Sequence, residues 1–217
     1  MKSECRFIRA RQPEQKEQRR TQILQAAATL LEDQGFENVS LNGIARQAKV
    51  AKSNIYRYFE SREDIYLQLL KDDWRNWLDD IELSLSPLEN SDDIDQVTAL
   101  IASKIAAAPR MCQLISVLAS VLEHNLSEEL LYNFKLESVA MGMRLVGMLQ
   151  SALPGIKQEN LLPAVQSMIA LIAGLWPLGN PNERVSKIME KPELSAFRLE
   201  FDIAIAQSLR LLARGAY

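Results

Sequence analysis

In the stretch Val39–Leu70, VSLNGIARQAKVAKSNIYRYFESREDIYLQLL, the side chains equipped for recognition chemistry are Lys52, Ser53, Asn54, Tyr56, Arg57 and Tyr58. They bring two cations, two phenols, a hydroxyl and an amide into one short run. Those groups can hydrogen-bond base edges and grip phosphate oxygens, provided that one slender element carries them into a groove. The surrounding residues predict such an element. Ser40 can cap a short helix bearing Leu41, Ile44, Ala45 and Ala48, Val50 falls in the turn after it, and Ala51–Tyr58 reads as a second short helix. Ile44, Ala45, Ala48, Val50 and Ile55 form the inward set, which leaves the polar residues outward. Two short helices joined in this way match helix-turn-helix geometry.

The flanking helices follow from periodicity. Ile23, Leu24, Ala27, Leu30 and Leu31 predict a helix over roughly 15–34, closed by Gly35. Ser61 with Asp64 reads as a capping box, opening a long helix with Ile65, Leu69, Leu70, Trp74, Trp77, Leu78 and Ile81 inward and an end near Ser86-Pro87.

At these residues the chain resembles the TetR family of transcriptional repressors. The resemblance rests on the first helix, the IA-x-x-A-x-V turn (Ile44, Ala45, Ala48, Val50), the Y-x-Y-F of Tyr56–Phe59 and the S-R-E-D-I-Y opening of the long helix, about 50 of 217 residues. There are two departures: Lys49 stands where a turn glycine is expected, and Ala51 where a small polar residue usually starts the third helix. A positive φ at Lys49 would cost roughly 1 kcal/mol. Carried over by position, the resemblance implies that Lys52, Ser53 and Tyr56 read base edges. It implies that Asn54, Arg57, Tyr58 and Arg62 contact phosphate, and that Ser40 caps its helix while offering a hydroxyl to phosphate. It also implies a homodimer on a double-stranded DNA operator, with a C-terminal domain for ligand binding and dimerisation.

Charge divides the chain in the same way. Residues 1–62 carry a net +5 and residues 63–217 a net −8, within a total of −3. A basic head on an acidic body suits a polyanion-binding domain (1–62) joined to a domain that binds no polyanion (63–217). Residues 1–20 hold seven Lys/Arg against three Glu, so a basic N-terminal arm is expected to add DNA affinity without adding much sequence choice. With 32 Leu and 23 Ala against 8 Gly and 8 Pro, the fold is expected to be all-α with about nine helices. Beyond the long helix these are Ile94–Ala108, Met111–His124, Glu128–Leu153, Glu159–Trp176 and Glu193–Arg214, with 177–192 a loop.

Other chemistries find little support. Cys5 and Cys112 are distant in sequence and His124 is the single histidine, so neither a zinc site nor a disulfide framework is expected. G-x-S-x-G, G-x-x-x-x-G-K-[ST] and G-x-G-x-x-G are all missing, which argues against an enzyme and against a cofactor. Met1–Arg20 lacks the apolar run of a signal peptide, and Pro163, Gln166, Ser167 and Pro177 interrupt the apolar segment Leu161–Leu178. A cytoplasmic protein with no membrane partner is expected.

In the body, Met111, Leu118, Met141, Met148, Met168, Ile172 and Trp176 suggest an adaptable apolar pocket, with His124 and Arg144 as polar groups to orient a mainly apolar small-molecule effector. Leu161, Val165, Ile169 and Ile172, with Phe197, Phe201, Ile205, Leu209 and Leu212, give the last two helices wide apolar faces. Glu159–Trp176 and Glu193–Arg214 are therefore expected to pair with a second subunit. The alternative function is a ligand-independent architectural DNA-binding protein.

Overall fold

The structure, a computed structural model, describes residues 11–217. Among the described residues it is all helix: α1 (Arg11–Gln34), α2 (Leu41–Gln47), α3 (Lys52–Ile55), α4 (Arg62–Leu85), α5 (Ile94–Ala106), α6 (Pro109–Val117), α7 (Glu128–Ala152), α8 (Gln158–Gly179), α9 (Glu183–Met189) and α10 (Phe201–Ala216). The chain divides into two compact units, one ending at Leu69 and the other beginning at Leu70, so that α4 belongs to both.

In the first unit α1 buries Ile23, Leu24, Ala27 and Leu31. Gly35 ends it at φ 72°, where a side chain would be strained, and donates its N–H to the Leu31 carbonyl at 3.0 Å. Phe36 then turns inward against Tyr66, with ring centroids 5.2 Å apart. At the start of α4 the Asp64 N–H reaches Ser61 Oγ at 3.0 Å, while Asp64 Oδ2 accepts from the Glu60 N–H at 2.9 Å. The reciprocal cap read from Ser61 and Asp64 is thus formed, shifted by one residue at its second bond.

The second unit is built around α8, whose buried Leu161, Val165, Met168 and Ile172 face α6, α7 and α10; α10 also packs on α5. Its rim is stapled by ion pairs from α4. Asp73 takes a two-pronged grip from Arg110 (2.8 and 2.5 Å), and Glu137 accepts from Lys71 (2.7 Å) and Arg75 (2.6 Å). Asp95 accepts from Arg210 at 2.6 Å through both oxygens; that bond, then the neighbouring Arg214, holds its carboxyl below the usual range.

Three expectations need correction. The stretch 177–192 is not all loop: α8 runs on to Gly179, and α9 forms because Asn182 Oδ1 caps the Val185 N–H at 3.0 Å and Glu183 pairs with Lys187. Ten helices result where about nine were expected. Glu193–Arg214 is not one helix either. Pro192–Phe197 is a 3₁₀ turn, residues 198–200 are extended, and α10 starts at Phe201, which packs edge-on against Trp176 at 4.9 Å. The α6 segment leaves α-helical geometry at Leu118, passing through a π turn to Leu122 and a 3₁₀ turn to Asn125. α8 is the one described helix long and apolar enough by itself to cross a membrane, but it spends one face on the core of this unit.

Candidate nucleic-acid interface

The turn before α3 sets the direction of every recognition side chain. Ser40 Oγ accepts from the Gly43 N–H at 3.1 Å and so begins α2. At the other end the Val50 N–H reaches back to the Ala45 carbonyl (2.9 Å) and the Lys49 N–H to that of Arg46 (3.1 Å). These are the two bonds of a Schellman motif, whose left-handed residue is usually glycine. Here it is Lys49, at φ 52°. Gln22 of α1 fastens the same corner by donating to the Ala48 carbonyl at 2.9 Å. Ala51 sits at the N-cap of α3 and offers no side-chain cap.

α3 is one regular turn, prolonged by bonds from the Tyr58 and Phe59 N–H groups to the Ile55 carbonyl, 2.9 and 3.0 Å. Ile55 and Phe59 are its buried anchors, and the Arg20 guanidinium lies 5.4 Å over the Phe59 ring. Lys52, Ser53, Asn54, Tyr56 and Arg57 are exposed together, Tyr56 at 55%, while Tyr58 is half-buried. Ser40 is exposed as well.

Arg62 is placed differently. It donates to the Val39 carbonyl at 2.7 Å, pairs with Glu63 at 2.8 Å and lies 4.6 Å over the Phe36 ring, so it fastens the start of α4. Two further exposed cations, Arg46 and Lys49, border α3 and were absent from the sequence-derived set. Their signal was present: a basic residue on the last turn of α2 and another in the turn itself. The first half of the basic arm, residues 1–10, lies outside the described residues, as does Cys5.

In the second unit the sequence-derived pocket residues scatter. Met111, Met141, Met168 and Ile172 are buried, Leu118, Met148 and Trp176 half-buried, and His124 exposed on its 3₁₀ turn. Arg144 bonds to Asp79 at 2.7 Å and to Glu82, and these two acids raise its pKa further. An apolar cavity of about 50 Å³ lies between α5, α7, α8 and α10; of the pocket set only Met168 lines it. Thr98, its polar neighbour, spends its hydroxyl on the Ile94 carbonyl at 2.7 Å. Sequence reasoning placed Trp77 in the core without giving it a role. Its indole Nε1 is buried and has no hydrogen-bond partner among the described residues. A buried donor of that kind calls for an acceptor.

Residues 23–69 match the family described as bacterial regulatory proteins, tetR family, and residues 71–217 the Tetracyclin repressor-like, C-terminal domain. The regulator HbdR of Aromatoleum sp. (strain CIB) is 42% identical over 59 residues, 27% of this chain and 26% of that protein. The Fatty acid metabolism regulator protein of Bacillus subtilis is 34% identical over 68 residues, 31% of this chain and 35% of that one. The match thus spans between about a quarter and a third of the length of these two curated relatives. In fold the likeness extends over the whole body. A TetR/AcrR-family regulator from Thermobifida fusca superposes with TM-score 0.58 at 18% identity, covering 92% of this chain and 99% of that one. FadR of Bacillus subtilis, solved in complex with stearoyl-CoA, gives 0.53 at 19% identity, covering 91% and 99%. With a helix-turn-helix unit and a helical body each matched by the corresponding half of one family, the chain belongs to the TetR family of transcriptional regulators.

Proposed function

We propose that this regulator is a homodimeric, cytoplasmic repressor that leaves its operator when a mainly apolar small molecule enters the second unit. The observation that carries the reading is the α3 surface: five polar side chains exposed side by side on a turn that Ile55 and Phe59 anchor from behind. In this reading Lys52, Ser53 and Tyr56 meet base edges, and Asn54, Arg57, Tyr58 and Ser40 meet phosphates, joined by Arg46 and Lys49. Arg62, already spent on Val39 and Glu63, holds the start of α4.

The relative named for fatty-acid metabolism, and the structure solved with stearoyl-CoA, support an effector with a long apolar portion. A cavity of about 50 Å³ is far smaller than the several hundred Å³ that small-molecule sites usually offer, so entry requires the helices to move apart. Such a movement is how ligand binding would favour a released state. The dimer uses what α8 and α10 leave outside: Leu162 and Ala170, with Ile203 and Leu211, are exposed. Leu161, Val165, Ile172, Phe201, Ile205 and Leu209 are buried in their own chain.

Selection of bound fragments from a random duplex library tests the reading. A palindromic consensus is expected, released by long-chain acyl thioesters. Lys52→Ala or Tyr56→Ala should relax single positions at a cost of about 1–3 kcal/mol each, whereas Arg57→Ala should weaken all sequences alike. Binding without a consensus would instead mark an architectural DNA-binding protein.

A further inference from the structure

Ala164 of α8 and Ala213 of α10 both line the apolar cavity of about 50 Å³ in the second unit, and their helices pack on each other. Other side chains that these helices bury are large, Met168 and Ile172 on α8, Ile205 and Leu209 on α10. Two methyl groups thus stand where bulkier residues would fill the space. Bonds outside the cavity keep its walls apart. Arg210 and Arg214 of α10 bind Asp95 of α5, and Asn160 of α8 donates to the Ala216 carbonyl of α10 at 2.8 Å. Asp92, just before α5, accepts from the Gly155 N–H in the turn after α7 at 3.0 Å. Collapse of the void would strain or break those ties.

The lining is apolar but for Thr98, whose hydroxyl is already donated to the Ile94 carbonyl. Such a space gives water no partner and accepts an apolar guest. It offers nothing to a charge or to a hydrogen-bonding head, which must stay outside. Size decides how much of a guest it takes. A void of about 150 Å³ holds one benzene; about 50 Å³ therefore has room for the end of an aliphatic chain and not for a whole effector. Leu149, Ala164 and Leu212 are half-buried and mark the mouth, while the rest of the lining is buried. None of the lining belongs to α4 or α6.

We infer that this cavity seats the far end of the effector's aliphatic chain, and so sets the chain length to which the regulator responds. The inference rests on the proposed effector. A floor at fixed depth is a ruler: a chain too short leaves the void unfilled, and a chain too long leaves methylenes in water or forces the walls apart. Ala164 and Leu212, one small and one large at the mouth, are the residues that set its depth.

Two measurements on the full chain test it, both with saturated acyl thioesters of coenzyme A from octanoyl to octadecanoyl. In the first, calorimetric titration gives the dissociation constant at each length. Ala164→Leu should move the optimum to chains shorter by about two carbons, the extra reach of leucine, and Leu212→Ala should move it to longer ones. Each methylene that no longer fits should raise the dissociation constant about fourfold, the worth of one buried methylene. A packing defect would instead weaken every length alike. In the second, which needs no variant, a thioester with a diazirine at the far end of its chain is irradiated on the wild-type protein. Labels are expected on residues 149–168 and 209–213. The ruler is overturned if both variants keep the wild-type length profile, if they lose affinity equally at every length, or if labels fall only on α4 and α6. In those cases, operator release by the thioesters leaves the effector reading standing. If no thioester of any length binds, effector and ruler fall together.

Discussion

Lys49 offers a test in which stability and DNA binding should move in opposite directions. It occupies the left-handed position of the Schellman turn between α2 and α3, at φ 52°. An L-residue pays roughly 1–2 kcal/mol for that conformation. Glycine there escapes the cost but brings a more flexible unfolded chain, worth about 0.5–1 kcal/mol against it. The difference favours Lys49→Gly by about 0.5–1 kcal/mol, a rise of about 1–4 °C in Tm for a chain of this size. Lys49→Ala is the control, because it removes the same charge and keeps the strain. Both substitutions withdraw an exposed cation beside α3. Each phosphate contact contributes about 0.9 to the salt slope, so losing one per subunit should lower the slope of the dimer by about two. Thermal unfolding, with hydrogen exchange at the Val50 amide that closes the turn, reports stability; operator titration across salt reports the charge. If glycine proves no more stable than alanine, the strained turn does not exist in solution. If both variants keep the wild-type salt slope, Lys49 does not face phosphate.

Charges placed on the outer faces, as in Ile203→Glu with Leu211→Glu, should give folded monomers by sedimentation with normal circular dichroism, since both residues are exposed in one chain; a surviving dimer would place the interface elsewhere. The Asp73→Asn change leaves Arg110 without its two-pronged partner at a half-buried site and should cost about 1–2 kcal/mol in urea unfolding; no loss would show the pair to be solvated. Burial pushes the Cys112 thiol from 9.0 up to about 12. The unfolded chain therefore loses its proton first as pH rises, and this contribution to stability is whole below pH 9 and lost between pH 9 and 12. In Cys112→Ala the alkaline decline should be shallower, and an identical pH profile would count against the shifted thiol.

The exposed polar face of α3 was legible in the sequence because local residues fix it. Ser40, Ala45, Val50 and Ile55 settle which way α2 and α3 face within a span of sixteen residues, so the exposed set follows from spacing. The hold of Arg62 on the start of α4 was not legible in the same way, because its partner Val39 lies 23 positions away. The α9 helix was hidden by composition, since the prolines that suggest a loop flank an Asn182 that caps a helix.

The body resisted reading for a different reason. Periodicity shows that a helix has an apolar face, but it does not say which neighbour covers it. On α10, Phe201, Ile205 and Leu209 proved to be core, and the apolar face left exposed is the adjacent one, Ile203 and Leu211. An effector site is harder still, because it is the space that packed helices leave over. In this unit the setting of those helices depends on ion pairs between distant residues, such as Asp73 with Arg110 and Glu137 with Lys71 and Arg75. Arg144 illustrates the consequence. Beside Met141 and Met148 in sequence it looked like a group for orienting a ligand, whereas Asp79 and Glu82 draw its side chain onto α4. A charge written next to apolar residues can therefore belong to the frame of a pocket without belonging to its lining, and only the acids opposite it decide which.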